Sequence, residues 1–125
     1  MNLDELRDFC SSKPGVEECF PFGEETMVFK VMGKMFVLVG MDSIPLTINI
    51  KAEPDAILEQ REQYSAVSPG YHQNKKYWNT ITLDDSISNT VLKRWIEGSY
   101  SAAASKLSKL SKDRLQEAAM LRDPR

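Results

Sequence analysis

The 125-residue chain is poor in the groups that most enzymes use for chemistry. It has one histidine, His72, and two cysteines, Cys10 and Cys19. A lone histidine and two separated cysteines cannot supply a zinc site of the usual kind. Without CxxC spacing the cysteines make neither a redox pair nor a disulfide framework. Cys10 falls on the apolar face of the first expected helix and reads as a small buried hydrophobe; Cys19, beside Phe20, reads the same way. The sequence has no GxGxxG, no phosphate loop ending in GKS or GKT, and no GxSxG. The acid pairs Glu17-Glu18, Glu24-Glu25 and Asp84-Asp85 are adjacent, and neighbours in a strand point to opposite faces rather than converging. A nucleophile needs a base, and nothing in the sequence ties His72 to Cys10, Cys19 or any serine. The expectation is a protein that is not an enzyme and uses no cofactor and no metal.

Long apolar runs are also missing. None approaches the ~20 residues of a membrane span, and the acidic, amphipathic start MNLDELRDF does not resemble a secretory signal. These features predict a cytoplasmic protein with no membrane association, and a monomer. The length suits a single domain over residues 1–125. Its hydrophobic share of 42% and charged share of 27% are ordinary for a globular chain.

A strong basic excess is absent too. The net charge is −2, whereas strongly basic nucleic-acid binders often have a pI above ~9. The charge is nonetheless polarised: residues 1–25 sum to −5, residues 26–92 to −1 and residues 93–125 to +4. Such asymmetry marks either an anionic partner or a solvated helix face.

What is present reads as alternating elements. Asn2 caps a helix to Lys13, with Glu5 three residues on as in a capping box. Leu3, Leu6, Phe9 and Cys10 form its buried face, and Pro14-Gly15 stops it. VEECFPFGEE is expected to be extended, then to turn at Pro21–Gly23. Strands are expected over Thr26–Met32 and Met35–Met41, joined by Gly33-Lys34 in a tight hairpin. A third strand is expected over Pro45–Lys51, with Leu46, Ile48 and Ile50 on one face and Thr47, Asn49 and Lys51 on the other. Pro54 opens a second helix to about Gln63, with Ile57 and Leu58 inward. A loop, YSAVSPGYHQNKK, leads to a strand over Tyr77–Leu83. Ser88 caps a third helix with Val91, Leu92, Trp95 and Ile96 inward, and Ala102–Leu121 is expected to be helical before a frayed end, LRDPR. The fold class is α+β, in two layers, with an antiparallel sheet carrying helices on one face and a polar opposite face.

The stretch PGYHQNKKYWNT, residues 69–80, stands out. It holds the only histidine, a lysine pair, two tyrosines and a tryptophan, and no acid occurs from Gln63 to Thr82. In the strand, Ile81 and Leu83 place Tyr77 and Asn79 on the core side and Trp78, Thr80 and Thr82 on the polar face. An indole on a polar face is either covered by a loop or helix, or serves as a stacking platform with lysines beside it to meet phosphate. His72 is by default a hydrogen-bonded structural residue, and Lys75 and Lys76 solvated charges.

The blocks LRDFC, PGVEE…FPFG, VFKVMGKMF and GYHQNKKYWNT occur in an order that resembles the MmcQ/YjbR-like family, over about residues 3–110; residues 111–125 form a helical tail outside the shared blocks. The resemblance implies a CyaY-like fold, frataxin-like in outline, and DNA binding by a double wing. One wing would be the Lys30–Met35 hairpin with Lys34 at its tip; the other would hold His72, Gln73, Asn74, Lys75, Lys76 and Trp78. A frataxin-like outline does not imply iron here, although Glu17, Glu18, Glu24 and Glu25 offer a possible metal surface. The expected function is a small module that binds DNA weakly through Lys30, Lys34, His72, Gln73, Asn74, Lys75, Lys76, Trp78 and Asn79. The alternative is a protein-interaction or small-ligand module, with Tyr71, His72, Trp78 and Asn79 lining a pocket.

Overall fold

A computed structural model describes residues 1–122. Residues 123–125, in the end expected to fray, lie outside the described residues.

Helix α1 (Leu3–Ser11) is closed by the expected capping box: the Asn2 side chain accepts from the Glu5 amide at 2.8 Å and the Glu5 carboxylate accepts from the Asn2 amide. The chain then runs β1 (Val16–Cys19), β2 (Thr26–Val31), β3 (Lys34–Gly40), β4 (Thr47–Lys51), α2 (Pro54–Gln63), β5 (Val67–Pro69), β6 (Trp78–Thr82), α3 (Asn89–Ala104) and α4 (Lys109–Arg122). The six strands form one antiparallel sheet in the order β1-β2-β3-β4-β6-β5.

Alternation sorts the side chains. Met27, Phe29 and Val31 of β2, Val37 and Val39 of β3, Ile48 and Ile50 of β4 and Ile81 of β6 share one face. They pack with Leu6 and Cys10 of α1 and Leu92, Ile96 and Ala103 of α3. Helix α2 lies on the same side, its Ile57 buried, so the helices cover one face of the sheet as expected.

Several boundaries differ from the sequence reading. The hairpin turn is Met32-Gly33, not Gly33-Lys34: both residues have positive φ, 48° and 86°. A two-residue turn of that hand matches the strand twist, and glycine accepts it at no steric cost. Lys34 is therefore the first residue of β3, paired with Val31. Strand β4 begins at Thr47 rather than Pro45, which has no amide to give a ladder. Strand β5 lies inside the segment expected to be loop. The fourth helix does not run from Ala102; α3 continues to Ala104, and α4 starts at Lys109. Leu58, expected inward, is exposed.

The expected polar face is partly apolar. Val28, Leu38 and Trp78 form a second buried cluster there, flanked by Cys19, Met35 and Tyr77.

Candidate binding cleft

The face away from the helices carries one continuous cross-strand row: Cys19, Val28, Leu38, Asn49, Thr80 and Ser68, each paired with the next. The β1 side of that row is apolar and the β5 side polar. The row ends in a pinned loop. The Thr80 hydroxyl donates to Asn49 Oδ1 at 2.5 Å and accepts from the Tyr71 amide at 2.9 Å, while Asn49 Nδ2 donates to the Tyr71 carbonyl at 3.1 Å. These three bonds fix the backbone of Tyr71 above the sheet. The Gly70 amide donates to the Trp78 carbonyl at 3.0 Å and closes the loop between β5 and β6.

Arg61 of α2 holds the same loop from the helix side. Its Nε donates to Asn79 Oδ1 at 2.7 Å, and Nη2 donates to the carbonyls of Lys75 and Trp78. Planar guanidinium donors in a fixed fork suit such multiple anchoring. Composition gave no signal for Arg61, because its partners are backbone carbonyls and an amide rather than an acid.

The loop and the sheet enclose a cleft of about 740 Å³. Its floor is Thr26, Leu38, Gly40, Thr47, Asn49 and Thr80. Phe22 and Glu25 come from the β1–β2 connection, Asp42 and Ser43 from the β3–β4 connection, and Tyr71, His72 and Gln73 from the pinned loop. A Cβ on Gly40 would stand 2.5 Å from Thr47 Oγ1, so glycine is needed here to let the Thr47 side chain lie across the floor. The Tyr71 and His72 rings lie 3.9 Å apart by centroid, and Tyr71 is 68% exposed. A shallower groove, about 500 Å³, runs between α3 and α4 and contains none of the expected site residues.

The structure separates the residues expected to bind nucleic acid. His72 and Gln73 line the cleft. The Asn74 side chain accepts from the Lys76 amide at 3.0 Å, a local turn bond. The Lys75 ammonium donates to the Gly70 carbonyl at 3.2 Å. Lys76 is exposed, 5.7 Å from the Tyr77 ring centroid. Lys30 is half-buried, opposite Glu17 on β1, and Lys34 is exposed at the start of β3.

Two of those residues require correction. Trp78 does point away from the helices, as parity demands, but it is only 8% exposed, in one apolar cluster with Leu38, two strands away, and Val28, three strands away; the indole is covered, so it offers no stacking platform. Asn79 is fully buried. Its Nδ2 donates to the Ile57 carbonyl and to Gln60 Oε1, both at 3.0 Å, and its oxygen takes the Arg61 bond. A base or ligand has no access to it. Thr47, Asn49 and Thr80 were recognisable as one polar face from alternation, but Phe22, Glu25, Asp42 and Gly40 reach the cleft through connections whose paths period-two patterning does not specify. The acids Glu17, Glu18, Glu24 and Glu25 do not gather: among the described residues no group of three or more His, Cys, Asp or Glu could hold a metal ion. Glu18 instead makes a two-point ion pair with Arg7, at 2.8 and 3.1 Å. This pairing pushes the Arg7 pKa up.

With this geometry in place, comparison with known proteins identifies the class. The family profile YjbR matches residues 11–102, and the chain belongs to that family. It is 36% identical over 104 residues to the uncharacterised Escherichia coli protein YbdF, covering 82% of this chain and 84% of YbdF. It is 29% identical over 107 residues to the uncharacterised E. coli protein YjbR, covering 86% of this chain and 91% of that one. The crystal structure of Deinococcus radiodurans protein DR2400, a DUF419 domain, superposes with a TM-score of 0.86 at 36% identity, over 92% of this chain and 88% of that one. A Pseudomonas syringae protein shares the fold, with a TM-score of 0.71 at 21% identity, over 82% of this chain and 99% of that one.

Proposed function

We propose that this protein is a monomeric, cytoplasmic, non-catalytic binding module whose ligand occupies the cleft on the helix-free face of the sheet. The observation that carries this reading is the cleft itself: a concavity of about 740 Å³ whose loop wall is held in place by the Asn49–Thr80–Tyr71 bonds. Small-molecule sites are usually concave, largely pre-formed and of this size. The non-catalytic part follows from the sequence, which ties the lone His72 to no cysteine or serine nucleophile. Among these residues no helix is long and apolar enough to cross a membrane, and both cysteines are free thiols, which fits a reducing compartment.

The test is amide chemical-shift mapping with a set of small neutral aromatic fragments. Shifts should centre on Gly40, Asn49, Tyr71 and Thr80. Thr80→Val keeps the shape of the side chain but removes both hydroxyl bonds; it should release the loop, cost about 1–2 kcal/mol of stability and weaken those shifts. Fragments that move only the α3–α4 groove, or nothing, would overturn the reading.

A second reading, weak DNA binding, is favoured by one specific placement. Lys30, Lys34 and Lys51 lie at the end of the sheet where β2 and β4 finish and β3 and β6 begin, and Lys51 pairs with Trp78 next to the Lys75-Lys76 loop. Four to five cations at one end of the sheet could follow a phosphate backbone.

A further inference from the structure

The two ends of the helix-free face differ in charge, and the cleft lies toward the acidic one. Glu25 and Asp42 are part of its lining, and neither carboxylate has an ion-pair or hydrogen-bond partner among the described residues. Among the described residues no lysine or arginine lines it. Of the cations nearest in sequence, the Lys75 ammonium is bonded to the Gly70 carbonyl, and Lys34 and Lys51 stand at the opposite end of the sheet from Glu25 and Asp42. An anionic ligand would therefore meet two uncompensated carboxylates and no fixed cation, while a cationic ligand would be attracted. Two exposed rings flank the same space, Phe22 at 62% exposure and Tyr71 at 68%. Large rings left open beside a concavity favour a flat apolar partner, and their faces attract cations.

Resting on the ligand-binding reading above, we infer that the cleft takes a flat organic cation: an aromatic ring bearing an amidine, guanidine or ammonium group. The ring lies against Phe22 and Tyr71, and the charge is directed to Glu25 and Asp42. Carboxylates and phosphates of the same shape are rejected.

Benzamidine, benzamide and benzoate are nearly isosteric and differ in charge, so chemical-shift titrations with these three probes isolate the electrostatic part. At low salt benzamidine should bind about fivefold tighter than benzamide, as expected for exposed charge pairing, and benzoate weakest. The shifts should centre on Gly40, Thr47 and Tyr71. The double variant Glu25→Gln/Asp42→Asn, at two exposed positions, should bring benzamidine down to the level of benzamide, and added salt should do the same in the wild type. Equal binding of all three, tighter binding of benzoate, or neutral fragments entering the cleft while benzamidine does not, would overturn the charge assignment and leave the ligand-binding reading standing. No shift in the cleft from these probes or from the fragment set would overturn both.

Discussion

Cys10 and Asn79 are fully buried, and at both the chemistry of the side chain follows from what surrounds it. Burial against the sheet pushes the Cys10 thiol up from an ordinary 9.0 to about 12, because the apolar interior penalises the thiolate. The unfolded chain ionises this thiol near its ordinary value and the folded chain does not. The contribution of the neutral thiol is thus complete below pH 9 and is lost as pH rises toward 12, at about 1.4 kcal/mol per pH unit. Cys10→Ala removes the titrating group and leaves a small cavity. Urea unfolding at neutral pH should show it less stable by about 1–2 kcal/mol, and the gap should narrow between pH 9 and 10. A gap independent of pH would contradict a buried neutral thiol. At Asn79 the same burial demands that each polar atom be bonded, and Ile57, Gln60 and Arg61 meet that demand. The cluster on α2 and β6 thus positions the loop that carries Tyr71 and His72.

At the scale of elements, α3 completes the sheet with a side chain. The β2–β3 register shifts between Phe29 and Lys30, leaving Phe36 as an extra residue, so that Phe36 and Val37 both face the core. The ladder with β4 reaches only Val37–Ile50. Beyond it the buried Ser99 hydroxyl donates to the Phe36 carbonyl at 2.5 Å and accepts from the Lys51 amide at 2.8 Å. Ser99→Ala strands one buried acceptor and one donor. It should cost about 1–3 kcal/mol and speed hydrogen exchange at the Lys51 amide more than at Ile48; unchanged exchange at Lys51 would show that water replaces the hydroxyl. The bulge explains the limits of the sequence reading. KMFVLVG is apolar almost throughout, so its pattern cannot mark which residue is extra, whereas TINIK alternates cleanly; in WNTIT Ile81 and the following Leu83 assign the faces, but Tyr77, expected on the core side, flanks the Trp78 cluster instead. β5 escaped because three residues ending in proline carry too little period to register. The pinned loop and the cover over Trp78 depend on contacts between strands far apart in sequence, which no local pattern encodes.

For the whole molecule the question is which end of the sheet meets a partner. The chain is −2 overall, yet Lys30, Lys34, Lys51 and Lys76 sit at one end and Glu25 and Asp42 at the other. A partner of either sign can therefore find a surface, and salt dependence separates the two cases. Binding of DNA through about three phosphates would give a log–log salt slope of about −3; a small organic cation in the cleft, paired with exposed carboxylates, would give a much shallower one. Lys30 is opposed across the strand pair by Glu17, and the Lys75 ammonium serves its own loop, so the cations free to meet phosphate are chiefly Lys34, Lys51 and Lys76. Anisotropy of labelled single- and double-stranded DNA, measured at two low salt concentrations, should then show weak binding that Lys34→Ala/Lys76→Ala weakens by about tenfold and whose slope falls in magnitude by about two. Both substitutions are at exposed positions, so folding is preserved and the change reports contact with the backbone. No binding at the lower salt would remove the nucleic-acid reading and leave the lysine end as solvated charge.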